Sequence, residues 1–414
     1  MRILIFGINY SPELTGIGKY TGEMGAWLAA RGHDVAVVTA KPYYPEWDVH
    51  LAYKGTGWMT ERIDGVTVHR VPLYVPKEVT SKKRILHEFS FLGGILPKWF
   101  GLLLKKKYDV VINITPPFHL GFYAWLYAKM KDAKLVTHIQ DLQVDAAKEL
   151  GMISNERLLN LMFKAEKHLL TSSDVVSSIS LGMKKKILAK GVLDQKYIMF
   201  PNWVDEQTIK PLTKMQSLRD EWGIPLTDTV VLYSGNLGEK QGLEIIIDAA
   251  KQFSDRPDVH FIICGSGGAR GRLKAMAEQA GLKQIRFYPL QPYEKLSALL
   301  ATADVHLVLQ KKSASDLVMP SKLTGILAAG GCSIVSALPG TSLYEIVDIH
   351  HLGILIEPES VEALTNGLQQ ALDTDLSPYR ERARQYAERF LSKEQVLQEF
   401  ERNLVRLTSH EKQT

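Results

Sequence analysis

Lys322 is the residue from which the chain's chemistry is most readily read. It lies in Asp316-Leu317-Val318-Met319-Pro320-Ser321-Lys322-Leu323-Thr324-Gly325, after an apolar run, Val305 to Leu309, that predicts a buried strand. Pro320 and Ser321 suit a helix start, since Pro lacks an N–H the first turn cannot use and Ser can accept a free one. A strand, a loop and a helix N-terminus make an anion site, because unpaired N–H groups and the positive dipole end share one side. A lysine in that first turn is unfavourable for an isolated helix, and a bound diphosphate would explain it. A surface lysine on an ordinary strand-to-helix connection is the alternative. Two more loops have related chemistry. Ser234-Gly235-Asn236-Leu237-Gly238-Glu239-Lys240-Gln241 follows the apolar run Val230 to Tyr233, and Gly16-Ile17-Gly18-Lys19 precedes the first helical pattern. Glycines let a backbone approach a phosphate closely. Gly265-Ser266-Gly267-Gly268 is a further glycine loop, or only a tight turn. His138 and Asp141, at the end of Leu135 to Ile139, could orient a sugar or a hydroxyl; a strand histidine can equally be structural.

Several chemistries are disfavoured. Gly7 and Gly16 are too far apart for a dinucleotide turn, and Thr39-Ala40-Lys41 stands where a ribose-binding acid would be. There is no Gly-x-Ser-x-Gly elbow, no Walker loop and no metal-ligand run. Cys264 and Cys332 lie in apolar runs and read as reduced, buried hydrophobes. The net charge of +5 from 50 basic and 45 acidic residues argues against a dedicated nucleic-acid binder. A signal peptide and a membrane span are not expected, since Ile3 to Phe6 is short and Gly7 follows it.

The elements that must position these residues alternate. Strands are expected at Ile3–Phe6, Val35–Thr39, Val66–Val71, Val110–Ile114, Leu135–Ile139 and Val175–Ile179. A second series runs Val230–Tyr233, Val259–Cys264, Ile285–Tyr288, Val305–Leu309, Ser333–Ser336 and Gly353–Ile356. Helical stretches separate them, which predicts an α/β fold of two doubly wound parallel sheets. The expected boundaries are a first domain over 1–205, a polar linker over 206–226, a second domain over 227–385 and a terminal helix over 386–414 that crosses back. Ligands are expected at the carboxyl ends of the strands, in a cleft that the two domains face.

Residues 85 to 107 stand apart. Ile85, Phe89, Leu92, Leu96, Trp99 and Phe100 follow Lys83 and Arg84 and precede Lys105 and Lys106. An aromatic-rich apolar stripe between basic clusters suits an interfacial helix on an anionic membrane. A buried helix with solvated ends fits the same pattern.

Asn9-Tyr10-Ser11-Pro12-Glu13 leading to Gly16-Ile17-Gly18, Gly32-His33-Asp34-Val35, Pro201-Asn202-Trp203-Val204-Asp205, Tyr233-Ser234-Gly235-Asn236-Leu237-Gly238 and Pro320-Ser321-Lys322 running to Gly330 resemble glycosyltransferase family 4. The likeness covers nearly the whole chain in order. Through Tyr43-Tyr44-Pro45 and Met319 to Thr324 it is nearest the colanic-acid type of exopolysaccharide fucosyltransferases. The resemblance implies a GT-B fold of two Rossmann-like domains. It implies metal-independent, retaining transfer from a nucleotide-diphosphate sugar, GDP-fucose being one donor it allows, to a lipid-linked saccharide at the cytoplasmic membrane face. No cofactor and no metal are expected. Gly16, Gly18, Asn236, Gly238, Lys240, Gln241, Pro320, Ser321 and Lys322 would hold the donor, and His138 and Asp141 would orient the reacting groups. Lys83, Arg84, Trp99, Phe100, Lys105 and Lys106 would meet the membrane, and domain closure would exclude water. Four positions depart from the family pattern. Asn236 and Gln241 stand where many members have Arg and Lys, Gly325 stands for a ribose-binding Glu, and Gln140 rather than His precedes Asp141. A nucleotide-sugar epimerase on the same fold and a non-catalytic binding subunit are the competing readings.

Overall fold

The computed structural model describes residues 1–13, 16–78, 80–149, 153, 155–312 and 320–409, without the side chains of Ser81, Glu149 and Lys240. The chain forms two compact units. One is Met1–Pro201 with the residues from Leu397 onward, and the other is Asn202–Val396.

The first unit is built on an eight-stranded sheet. Its strands are β1 (Arg2–Phe6), β2 (Asp34–Ala40), β3 (Met59–Ile63), β4 (Val66–Val71), β5 (Val110–Thr115), β6 (Lys134–Ile139), β7 (Val175–Ser178) and β8 (Tyr197–Met199), in the order β3-β4-β2-β1-β5-β6-β7-β8. All pairs are parallel except β3 with β4. β5 is buried along its whole length, as expected of a strand covered on both faces. β3 and β8 are additions to the sequence expectation. β3 alternates half-buried with exposed positions, and β8 is only three residues long, so neither has the apolar run of a central strand. The last helix, Lys393–Ser409, begins in the second unit and buries Leu397, Phe400 and Leu404 in the first. Phe400 stacks on Phe200 at 3.9 Å, and Glu401 pairs with His33 at 2.8 Å.

The second unit carries six parallel strands: β9 (Thr229–Ser234), β10 (Val259–Cys264), β11 (Ile285–Tyr288), β12 (Val305–Val308), β13 (Cys332–Ser336) and β14 (Gly353–Ile356), ordered β11-β10-β9-β12-β13-β14. Residues 206–226, whose polarity and prolines suggest a linker, are packed into this unit. Leu218, Trp222 and Ile224 join a buried cluster with Leu232 and Leu299. Arg219 is fully buried. It donates to the carbonyls of Thr302, Pro225 and Asp228 and to Asp304 Oδ2 at 2.6 Å. Both cysteines are buried and free.

Candidate functional site

In the second unit two glycine loops leave neighbouring strands, β9 and β10, at their carboxyl ends. A Cβ on Gly265 would lie 1.9 Å from the Gly235 carbonyl oxygen, so only glycine lets these backbones meet. Leu237 N donates to Ser266 O at 2.8 Å, which locks one loop on the other. Tyr233, near the end of β9, donates its hydroxyl to Asn236 O at 2.8 Å and so fixes the loop from below.

Lys322 reaches this point from the first turn of the Ser321–Ala328 helix, which Pro320 begins in extended conformation. Its Nζ lies 3.7 Å from the centre of the Tyr233 ring. A Cβ on Gly235 would be 3.5 Å from the Lys322 Nζ. That nitrogen is buried and, among the described residues, has no hydrogen-bond partner, and burial pushes its pKa down to about 7. A buried ammonium without a carboxylate is costly, and an anion at this spot would restore its charge. Gln241 Oε1, beside Gly238 and Asn236, is also buried with no hydrogen-bond partner among the described residues. The structure therefore gathers Asn236, Gly238, Gln241, Pro320, Ser321 and Lys322 at one end of the sheet. The Lys240 side chain and residues 313–319, with Asp316 to Met319, lie outside the description. At Gly325 an added Cβ would meet, among the described residues, Leu300 Cδ1 at 3.8 Å, an ordinary contact.

The structure places the expected catalytic histidine inside the sheet. His138 is 2% exposed on β6; its Nδ1 pairs with Ser177 Oγ and its Nε2 with Gln140 Nε2, each at 2.9 Å. Burial pushes its pKa down to about 3. With both ring nitrogens engaged in the core, it holds β6 to β7 and has no free edge for a substrate. Asp141 follows β6 and is half-buried. Asp145, one turn on, shares Lys190 with Glu166. Gly16 and Gly18 lie in the first unit. A Cβ on Gly18 would be 2.5 Å from Glu13 Oε2. Glu13 accepts from the N–H groups of Tyr43 and Tyr44, both at 3.0 Å, and from Asn9 at 2.9 Å. The protein's own carboxylate thus packs on Gly18, which gives that glycine a packing reason.

A polar group that the sequence did not single out lies where β5 and β6 end. Glu88, 8% exposed, accepts from Gln143 Nε2 at 2.9 and 3.0 Å and lies 3.8 Å from His119 Nε2. Burial raises the Glu88 pKa and pushes His119 down to about 4. An acid and a neutral imidazole with shifted affinities can exchange a proton with a bound hydroxyl. Glu88 sits inside a helical apolar stripe and His119 follows two prolines, so no local motif marks them.

That stripe belongs to the Ser81–Leu103 helix, whose Thr80 cap accepts from Lys83 N. Phe91, Ile95, Trp99 and Leu102 are buried beneath it. Trp99 is 4% exposed and donates Nε1–H to Tyr123 O at 3.0 Å, which corrects its expected place on a membrane surface: it faces the core. Phe100 faces outward at 58% exposure, with Ile85, Leu86, Phe89 and Leu96 along the same side. The Gly121–Lys131 helix alongside exposes Phe122, Leu126 and Met130. Arg84, Lys105 and Lys106 are exposed and Lys83 half-buried at the two ends. Among the described residues no helix is long and apolar enough to cross a membrane.

Residues 15–203 match the family described as Glycosyl transferase 4-like domain, and residues 214–390 match Glycosyl transferases group 1. The chain is 44% identical over 409 residues to the putative colanic acid biosynthesis glycosyl transferase WcaI of Escherichia coli K12, covering 97% of this chain and 98% of that one. It is 28% identical to a D-inositol 3-phosphate glycosyltransferase of Corynebacterium aurimucosum, over 91% and 88% of the two chains. Among solved structures it is similar to sucrose-phosphate synthase from Thermosynechococcus elongatus, with a TM-score of 0.77 at 17% identity over 99% of both chains. Anabaena HepE in complex with UDP and glucose is similar at a TM-score of 0.70 and 15% identity, over 98% of this chain and 99% of that one. Two parallel-sheet units with glycine loops at their strand ends, a whole-length relative and two adjoining family matches lead to one conclusion: the chain is a glycosyltransferase of the family-4 type with the GT-B fold.

Proposed function

We propose that this glycosyltransferase moves a sugar from a nucleotide-diphosphate donor to a lipid-linked saccharide at the cytoplasmic face of the membrane, in assembly of a colanic-acid-like exopolysaccharide. The observation that carries the donor half is Lys322, whose buried Nζ lies beside Gly235 and over the Tyr233 ring with no hydrogen-bond partner among the described residues. In the reaction the bond from the sugar's anomeric carbon to the diphosphate oxygen breaks as the acceptor hydroxyl bonds to that carbon. The bonding pair leaves with the nucleoside diphosphate. Lys322 and the positive N-terminal end of the Ser321–Ala328 helix take up its growing charge, so that no metal ion is needed for that purpose. The hydroxyl proton passes to the leaving phosphate or to Glu88. Transfer retains the anomeric configuration. WcaI is named for colanic acid biosynthesis, and the identity of 44% over nearly the full length supports the same class of product here. The exposed apolar stripe gives a lipid-linked acceptor a surface to lie on.

The test incubates the purified chain with bacterial membranes and radiolabelled GDP-fucose, UDP-glucose or UDP-galactose in EDTA. The reading expects label in the lipid extract from one donor, in the donor's own anomeric configuration. Absence of lipid label with all of them, or transfer only on adding Mg²⁺, contradicts it.

A further inference from the structure

Beside the apolar stripe lies a groove of about 250 Å³, lined by Trp58, Pro97, Lys98, Gly101, Leu102 and Lys105. Two cations share it, and among the described residues neither forms an ion pair. Lys98 Nζ reaches only the Thr60 hydroxyl, at 3.4 Å, and that hydroxyl pairs with His69 Nδ1 at 2.9 Å. The neighbouring carboxylate, Glu61, is the next residue on β3 and so points to the other side of the strand, where it pairs with Arg70 at 2.7 Å. The like charges act on one another. Lys98 is lowered by burial and then by Lys105, and His69 is pushed down to about 4 by burial and then by both lysines. An anion bound in the groove would offset the mutual repulsion of these groups.

The mouth of the groove has the chemistry of a lipid–water boundary. Trp58 is 55% exposed while its Nε1–H is held by Gly94 O at 2.7 Å, so the indole presents an apolar face outward from a fixed position. Tryptophan is enriched at that boundary for this reason. At about 100° per residue, Pro97 and Gly101 lie on the helix between Lys98 and the exposed Leu96 and Phe100, and Lys105 follows just past the helix end. The groove and the stripe are therefore neighbours on one helix.

We infer that the Trp58–Lys98–Lys105 groove receives the phosphate of an anionic phospholipid headgroup while the stripe enters the acyl layer. This rests on the membrane-docking part of the proposed function and adds a defined headgroup site to it. Exposed lysines elsewhere on the helix would act only as diffuse charge.

The full-length protein is tested by co-sedimentation with vesicles of phosphatidylcholine alone and of phosphatidylcholine with phosphatidylglycerol. Wild type is compared with Lys98→Gln/Lys105→Gln and with the charge-matched Lys82→Gln/Lys106→Gln, with thermal melts confirming that each is folded. Two diffuse charges account for a loss of about 25-fold on the anionic vesicles, which is what the Lys82/Lys106 pair should show. The groove pair should lose at least a further tenfold, and should stay weaker than wild type in 0.5 M salt, where the other pair recovers. Equal losses for the two pairs, or full recovery of both in salt, would overturn the site and leave membrane docking in place. No wild-type binding to any vesicle would remove the docking reading itself. A groove-dependent affinity for soluble glycerol phosphate without vesicle binding would assign the groove to a free phosphate ester and overturn the headgroup assignment.

Discussion

At the scale of residues, Lys322 and His138 show how burial separates two candidate groups. Lys322 Nζ is buried with no hydrogen-bond partner among the described residues, and His138 is buried with two. The Lys322 pKa of about 7 lies below the ordinary lysine value. Between pH 7 and 10.5 the unfolded chain therefore binds a proton that the folded chain does not, and stability rises with pH across that window. In Lys322→Met the slope of thermal stability against pH should flatten there. A diphosphate restores the charged form, so binding at pH 8 should take up close to one proton, and affinity should fall as pH rises further. His138→Ala should cost about 1–3 kcal/mol for each of the two groups left without a partner, seen in denaturant melts, with nucleotide affinity unchanged. A loss of turnover without loss of stability would return His138 to a catalytic role. The sequence made Lys322 visible because a cation in a helix's first turn breaks a local rule. It could not show Tyr233, whose place in an apolar run hides the hydroxyl that shapes the loop. Glu88 and His119 are near one another only after folding, and the residues between them carry no motif.

The elements carry a second group of predictions. The Ser81–Leu103 helix has two apolar sides, one under Phe91, Ile95 and Trp99 and one open at Phe89 and Phe100. Its periodicity from sequence gave apolar positions but not which of them the neighbouring helix would cover. Trp99 and Phe100 are adjacent and about 100° apart on the helix, and only the packing of its neighbours decides that the first is covered and the second open. Trp99→Ser should destabilise the protein by about 3–5 kcal/mol through lost burial and an emptied core volume. Phe89→Ser with Phe100→Ser should leave the melting temperature nearly unchanged and weaken vesicle binding. If the double variant unfolds instead, the outer stripe is core and does not meet a membrane. The segment 206–226 was misleading for a related reason: Arg219 and its prolines look like linker chemistry, yet Arg219 is a buried fastener. Arg219→Met leaves Asp304 buried with one fewer cation, and should cost about 3–5 kcal/mol in urea melts. The strand alternation was legible because parallel strands covered on both faces must be apolar throughout; β3, half exposed at the sheet edge, escaped the same rule.

For the whole molecule, the account makes each unit responsible for one substrate. In the proposed reaction the second unit would grip a diphosphate with Lys322 and backbone N–H groups, and the first would offer Glu88, His119 and the apolar helix to a lipid-linked acceptor. The donor half is the central claim, because the chemistry of transfer depends on a leaving group stabilised by a lysine. The most direct measurement is calorimetry of GDP, UDP, ADP and CMP binding in EDTA, at pH 8 in two buffers of different ionisation enthalpy, for wild type and Lys322→Met. The account predicts that one nucleoside diphosphate binds without metal and with proton uptake. It also predicts that Lys322→Met binds about 10- to 150-fold more weakly, as expected for loss of a charge-assisted contact, and takes up no proton. Binding that requires Mg²⁺, or wild-type affinity and proton uptake in Lys322→Met, would contradict it.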